Sequence, residues 1–287
     1  MKTVALLALL LAPTTWLAAQ STINATQKFA WSANTAWINL RPSAADGVAV
    51  GAYICSGQAW GANIGWITFG DGTPVDKIRY SNTDSSDFGV NVLSGGLLRG
   101  LAYGANVGWI QFEATGNPRI NLTNGALSGF AYGANIGWIN LGNLITDSMQ
   151  TGADTDHDGI PDAWEYQRTG GLGFLSATGD FDHDGLSDLA EYRADTNPLS
   201  GTETFAIAQP QAVKQPNGSV QFTLTWRSSP DRLYVIEHTT DLASVPWTDS
   251  GLGTITADAG TTTTRTITEP SAARRFYRAR VVLPLSP

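Results

Sequence analysis

The chain is nearly devoid of cysteine. Cys55 is the only one in 287 residues, so no intramolecular disulfide can form and stability has to come from packing or bound metal. Cys55 lies in Ala-Tyr-Ile-Cys-Ser, an apolar, strand-like setting that suits a buried, inert thiol. Long apolar runs are missing as well. Val4 to Ala12 is apolar throughout, but a bilayer-spanning helix needs roughly 20 such residues, and no later stretch comes closer. Lys2, that short run and the small residues Leu17-Ala18-Ala19 instead read as an export signal over residues 1–19. The expected mature chain is secreted, displayed at the cell surface or held in a periplasm, with no transmembrane segment.

Also absent are the local signatures of common catalysis. There is no Gly-x-Ser-x-Gly elbow, no Gly-Lys-Ser phosphate loop and no His-Glu-x-x-His zinc helix. Glu113, Asp71 and Asp76 are scattered acids read as solvated surface charges, and a glycoside-cleaving pair among them is the remoter alternative. Nothing basic clusters, so nucleic acid is not an expected partner. The expectation is a protein that is not an enzyme.

The charge that is present is unevenly placed. The formal net charge is −8, from 25 acidic and 17 basic residues. Ten of the 25 acids fall within Asp154–Glu165 and Asp180–Glu191, which leaves the rest of the chain about neutral with 15 acids against 17 bases. Acidity so local suits a bound cation rather than a generally acidic surface.

Each of those two segments fits a twelve-residue calcium template. Asp154, Asp156 and Asp158 fill places 1, 3 and 5, Gly159 place 6, Ile160 place 7, Asp162 place 9 and Glu165 place 12. Asp180, Asp182, Asp184, Gly185, Leu186, Asp188 and Glu191 repeat the pattern 26 residues later. A calcium-sized hard cation takes six to eight oxygens, and alternate side chains of a tightly curved loop converge on one point. The expected ligands are the three aspartates of each loop, the carbonyls of Ile160 and Leu186, Asp162 and Asp188 directly or through water, and bidentate Glu165 and Glu191 from a short helix. Two Ca2+ ions follow, with magnesium disfavoured by its demand for rigid octahedral sites. His157 and His183 stand at place 4, where a side chain points away from the ion. With no Cys or His partner nearby, they read as surface residues rather than zinc ligands. His238 reads as a lone strand histidine.

These loops resemble thrombospondin type 3 repeats and, less closely, EF-hands and dockerins. The entering helix of a full EF-hand is missing, since Gly152 precedes the first loop and Thr169-Gly170-Gly171-Leu172-Gly173 interrupts the approach to the second. Glu rather than Asp at place 12 departs from dockerins. Asp195-Thr196-Asn197-Pro198 follows the second loop much as Gly-Thr-Asp-Pro does in related bacterial repeats. The resemblance implies a calcium-binding segment over residues 148–201.

Residues 20–147 repeat themselves. Ala59-Trp60-Gly61-Ala62-Asn63-Ile64-Gly65-Trp66-Ile67 returns at Ala102–Ile110 and at Ala131–Ile139, with a degenerate first copy at Ala30–Ile38. The Trp-Ile pairs are spaced by 29, 43 and 29 residues. Self-similarity of this kind marks units that need neighbours to bury a face. Asn and Gly supply turns, β-branched and aromatic residues the flanks, and three short strands per unit are predicted. Trp66, Trp109 and Trp138, between glycine and isoleucine, are expected in a shared core, with Trp60, Tyr103 and Tyr132 more exposed on the other side of a turn. A row of exposed rings stacking on sugars is the rival reading, which would make the protein lectin-like. The repeat resembles Trp-rich G-x-A-W-x-x-N-I-G-W-I units of bacterial surface proteins, a likeness that implies no activity.

Residues 202–287 alternate with period two. Val220, Phe222, Leu224 and Trp226 share one face, and further strands are predicted at residues 233–238, 261–268 and 276–281. Short strands over about 85 residues suit an immunoglobulin- or fibronectin-like β-sandwich. Tyr234-Val235-Ile236-Glu237, Asp241-Leu242, Trp247 and Phe276-Tyr277-Arg278 resemble a C-terminal module of exported bacterial proteins. The fold class expected for the whole chain is mainly β: a β-repeat domain of three-stranded units, an EF-hand-like segment with short helices, and a β-sandwich. Calcium, an extracellular glycan or a surface protein are the expected partners.

Overall fold

A computed structural model describes residues 20–43, 45–243, 246–270 and 274–286; the expected export signal at 1–19 lies outside the described residues. Among the described residues the protein is mainly β with two short α-helices, and none of its helices there is long and apolar enough to cross a membrane.

The repeat region forms β1 (Ile23–Ser32), β2 (Ala36–Asn39), β3 (Val48–Val50), β4 (Cys55–Gly61), β5 (Gly65–Thr68), β6 (Val90–Leu93), β7 (Leu97–Gly104), β8 (Gly108–Phe112), β9 (Arg119–Ile120), β10 (Leu127–Ser128), β11 (Phe130–Gly133), β12 (Gly137–Asn140) and β13 (Leu144–Thr146). Each sequence repeat is a hairpin: β1–β2, β4–β5, β7–β8 and β11–β12. Neighbouring hairpins pair edge to edge, with Ile38 opposite Gly61, Ile67 opposite Gly104 and Ile110 opposite Gly133. Ser32 opposite Ile139 then joins the first hairpin to the last and closes eight strands into a barrel-like ring. A third strand flanks each hairpin: β3 on β4, β6 on β7, β9 on β10 just ahead of β11, and β13 on β1. The first unit is thus completed by a strand from the far end of the region.

The motif can be read position by position against this ring. Its Ala and Ile face inward: Ala30, Ala59, Ala102 and Ala131 and Ile38, Ile67, Ile110 and Ile139 are all buried in one core. An eight-stranded barrel leaves an interior only wide enough for side chains to fill, and a small residue opposite a medium one fills it. Ile64, Val107 and Ile136 turn in from the hairpin tips and are also buried. The preceding glycine gives them room, since a Cβ on Gly61, Gly104 or Gly133 would come within 2.8 Å of that side chain. Each Asn clasps the neighbouring tip. Asn63 Nδ2 donates to Thr35 O (3.2 Å), Asn106 Nδ2 to Ile64 O (3.1 Å), Asn135 Nδ2 to Val107 O (3.0 Å) and Asn34 Nδ2 to Ile136 O (3.1 Å), which makes a closed circuit. Gly65, Gly108 and Gly137 hold φ of 78°, 76° and 72° after the turn, as a three-residue hairpin loop requires. In the degenerate copy Ala36 takes that place at φ 64°.

Period two settles the aromatics against the core expectation. Because Trp and Ile are adjacent, an inward Ile puts its Trp outside. Trp66, Trp109 and Trp138 are 47%, 38% and 49% exposed. Their hairpin partners Trp60, Tyr103 and Tyr132 sit opposite them on the same outer wall, so the two sets share one face rather than lying on opposite sides.

After the repeats come α1 (Asp162–Thr169) and α2 (Asp188–Ala194). The C-terminal strands are β14 (Gln211–Lys214), β15 (Ser219–Arg227), β16 (Leu233–Thr239), β17 (Thr248–Asp249), β18 (Ile255–Thr256), β19 (Thr262–Pro270) and β20 (Phe276–Val282). One sheet runs β14-β15-β19, and the other places β17, β18 and β20 on β16. Leu224 and Trp226 of β15, Tyr234 and Ile236 of β16, Ile255 and Ile267 form a common buried cluster, with Phe222 packed against it as the alternation predicts.

Candidate metal centre

Both acidic loops adopt the same conformation. Gly159 N–H donates to Asp154 Oδ2 and Gly185 N–H to Asp180 Oδ2, each at 3.0 Å. Ile160 N–H donates to Asp158 Oδ1 at 2.8 Å and Leu186 N–H to Asp184 Oδ1 at 2.7 Å. His157 and His183 both have φ of 63°, and Gly159 and Gly185 follow at 89° and 95°, the sharp bend that place 6 demands. Each loop runs directly into a helix, and no helix leads directly into either loop. Each loop is thus a sharp bend closed by a short following helix.

Asp154, Asp156 and Asp158 bring one carboxylate oxygen apiece within 4.8 Å of each other, and Asp180, Asp182 and Asp184 do the same. Glu165 and Glu191, in the first turns of α1 and α2, are both 0% exposed. Neither Glu165 oxygen has a well-formed hydrogen bond, and Glu191 Oε2, Asp154 Oδ1, Asp158 Oδ2, Asp182 Oδ2 and Asp184 Oδ2 are likewise buried without one among the described residues. Burial first, and then the negative field of Asp156, Asp158 and Asp162, push the Glu165 carboxyl up to about 7, with the Gly173 backbone only partly offsetting this. Glu191 is pushed up to about 7 by burial and by Asp182, Asp184 and Asp188, opposed by a hydrogen bond from Thr196. Burial and the neighbouring Asp156 and Asp154 also raise Asp158, against a hydrogen bond from Ile160.

Place 9 behaves differently. Asp162 accepts from Thr155 N–H (2.7 Å) and Thr155 Oγ1 (2.6 Å), one on each oxygen. Asp188 accepts from Phe181 N–H (3.0 Å) and Ser176 N–H (2.9 Å). These two acids staple the loop entrance to the helix start and stand outside the triads. Ile160 turns its side chain into a small core with Trp164, Leu175 and Tyr192, which anchors the first loop at place 7. His157 and His183 are exposed, as read from the sequence.

Several further residues contribute to which the sequence assigns no definite role. Thr196 Oγ1 donates to Glu191 Oε1 at 3.3 Å. Asp195, at φ 57° beyond α2, pairs with Arg168 of α1 at 3.0 Å and accepts from Ser229 Oγ at 2.5 Å. Arg232 donates to Tyr192 O (2.5 Å) and Arg193 O (2.8 Å) at the end of α2, and its guanidinium lies over the Tyr192 ring. Asp231 accepts from Gly95 N–H of the repeat region at 2.7 Å, and Tyr53 packs on the small core of the loops. The Asp-Thr-Asn-Pro run was the visible signal for Asp195 and Thr196; Arg232 carried none.

Elsewhere, Cys55 is buried and its thiol is pushed up to about 12 by burial. Asp71, Asp76 and Glu113 are exposed, and the first two cap loop backbone at Thr73 and at Ile78 and Arg79. His238 is not without company, for Glu269 Oε1 lies 3.5 Å from its Nδ1.

No protein-family model matches the chain, and comparison with curated proteins and with solved structures finds no match.

Proposed function

We propose that the chain is a calcium-braced, non-catalytic interaction protein that works outside the cytoplasm, one Ca2+ being held by Asp154–Glu165 and one by Asp180–Glu191. A single observation carries the reading. Glu165 is wholly buried beside three aspartates with both oxygens lacking a well-formed hydrogen bond, an arrangement that costs several kcal/mol unless a cation compensates it. All-oxygen donors with this spacing suit calcium before zinc or magnesium. Asp154, Asp156, Asp158, the Ile160 carbonyl and Glu165 would hold the first ion, and Asp180, Asp182, Asp184, the Leu186 carbonyl and Glu191 the second, with Asp162 and Asp188 contributing through water.

The ions would act as clasps at a joint. Through Asp195 and Arg232 the two loop helices are tied to each other and to the C-terminal sheets, which we take to be an immunoglobulin- or fibronectin-like sandwich. With a Kd of ~0.1 mM, within reach of extracellular modules, and ~1 mM free calcium, each site adds about 1.4 kcal/mol to stability. Calorimetric titration of Ca2+ into metal-free protein is expected to show two sites, and chelator is expected to speed proteolysis within residues 169–179. Absence of binding heat together with unchanged proteolysis would sink the reading.

A further inference from the structure

The outer wall of the barrel carries more aromatic surface than its fold requires. Each hairpin presents one cross-strand ring pair: Trp31 and Trp37, Trp60 and Trp66, Tyr103 and Trp109, Tyr132 and Trp138. Their centroids are 4.8, 4.9, 4.8 and 5.0 Å apart. All eight rings are 37–50% exposed, whereas the core is filled by the inward Ala and Ile. Single exposed apolar residues are ordinary, but eight large rings in register are not.

The register also fixes what stands beside each pair. Two residues after each outward Trp, and so on the same face, comes an uncharged polar side chain opposite the first ring of the next hairpin. Asn39 faces Trp60, Thr68 faces Tyr103, Gln111 faces Tyr132 and Asn140 faces Trp31. Asn39 and Asn140 each use Oδ1 to accept from a nearby backbone N–H. Among the described residues their Nδ2 groups and the Gln111 amide have no protein partner. Every seam between hairpins thus joins an exposed ring to a hydrogen-bonding group.

We propose that the four seams of this wall are carbohydrate-binding subsites for a neutral polysaccharide. The rings offer flat apolar faces for the C–H side of a pyranose, and the amides and hydroxyl offer uncharged donors and acceptors for its hydroxyls. Charge decides between partner classes. Residues 29–40, 54–70, 100–112 and 126–146 contain no Asp, Glu, Lys or Arg, so beyond Lys28 beside the Phe29 ring an anionic glycan, a nucleic acid or an acidic membrane finds no cluster of counter-charge at the seams. Shape argues against a bilayer too. The seams point outward around a closed ring, while Ile64, Val107 and Ile136 turn inward from the tips, leaving Ala62, Asn63 and their counterparts outermost. Separate polysaccharide strands can each reach a seam where one flat surface cannot, and repeated weak contacts then add through avidity. This inference supplies a partner class for the interaction role proposed above, but it draws on different residues, and either reading can fail without the other.

The test uses the full chain in calcium and in chelator. Co-sedimentation with insoluble cellulose, chitin, xylan and α-glucan is followed by tryptophan-fluorescence titration with the matching oligosaccharides. Binding to at least one is expected, with dissociation constants in the millimolar range for short oligosaccharides. Trp60→Ala and, separately, Asn39→Leu are expected to weaken polysaccharide retention about 3-fold, with the melting temperature within a few degrees of the parent. Combined Trp31→Ala, Trp60→Ala, Tyr103→Ala and Tyr132→Ala is expected to abolish it. Should that variant unfold, Asn39→Leu with Asn140→Leu provides the same readout on seams whose rings are intact. Binding to none of the polysaccharides, retention unchanged in the seam variants, or binding to phosphatidylcholine vesicles in their place would overturn the proposal.

Discussion

At the scale of single residues, the most informative groups are Glu165 and Glu191. Both are buried acids pushed up to about 7, against an ordinary glutamate value near 4.3. The sign for the metal-free protein follows from which state holds the proton. Between the ordinary value and about 7 the folded state binds more protons than the unfolded one, so stability falls as pH rises through that window. Calcium bound as proposed would reverse the trend, because it would require both carboxylates ionised. In chelator the melting temperature is expected to be higher at pH 5 than at pH 7.5, and in millimolar calcium the order is expected to invert. Differential scanning calorimetry at the two pH values checks this, and the same order in both buffers would contradict it.

At the scale of elements, the loops and the barrel differ in how much of them the sequence exposes. Every side chain of an acidic loop lies within twelve consecutive residues, so template spacing alone picks out the aspartates that the backbone brings together. It did not reveal that Asp162 and Asp188 grip Thr155, Ser176 and Phe181, because that depends on how the loop entrance folds back. The hairpins were equally legible from Ala-Asn and Gly turns. Their closure was not, since the pairing of β1 with β12 joins residues over 100 apart in the chain. The outward tryptophans follow from period two, since each stands next to an inward isoleucine, and their bulk alone is a misleading guide to burial. One element-level irregularity is testable. Ala36 holds a left-handed φ of 64° where the other three copies have glycine, a conformation that costs an L-residue about 1–2 kcal/mol. Ala36→Gly is expected to stabilise the barrel by about 1 kcal/mol in chemical denaturation, after the greater freedom of glycine in the unfolded chain is deducted.

At the scale of the whole molecule, three regions meet where Tyr53, Asp195 and Arg232 come together. Arg232 is 9% exposed and spans from the C-terminal sheets to the last carbonyls of α2, where a cation also suits the helix end. Removing one partner of such a buried charged contact costs about 3 kcal/mol. Arg232→Met is expected to lower stability by that order and to leave two calcium sites countable by calorimetry. Calcium should then no longer raise the unfolding midpoint of the C-terminal sheets, read from near-ultraviolet circular dichroism. A midpoint that still rises by the parental amount would show that the joint runs through other contacts.

The strand that seals the ring comes from its far end: β13 lies on β1, and β12 pairs with β1 only once residue 140 is in place. In chain order the β1–β2 hairpin forms early, but the other edge of β1 stays unsatisfied until more than a hundred further residues have followed. Unpaired edges of this kind are sites of wrongful association. The interval between the appearance of the first strand and of the last is therefore when this protein is most exposed to aggregation.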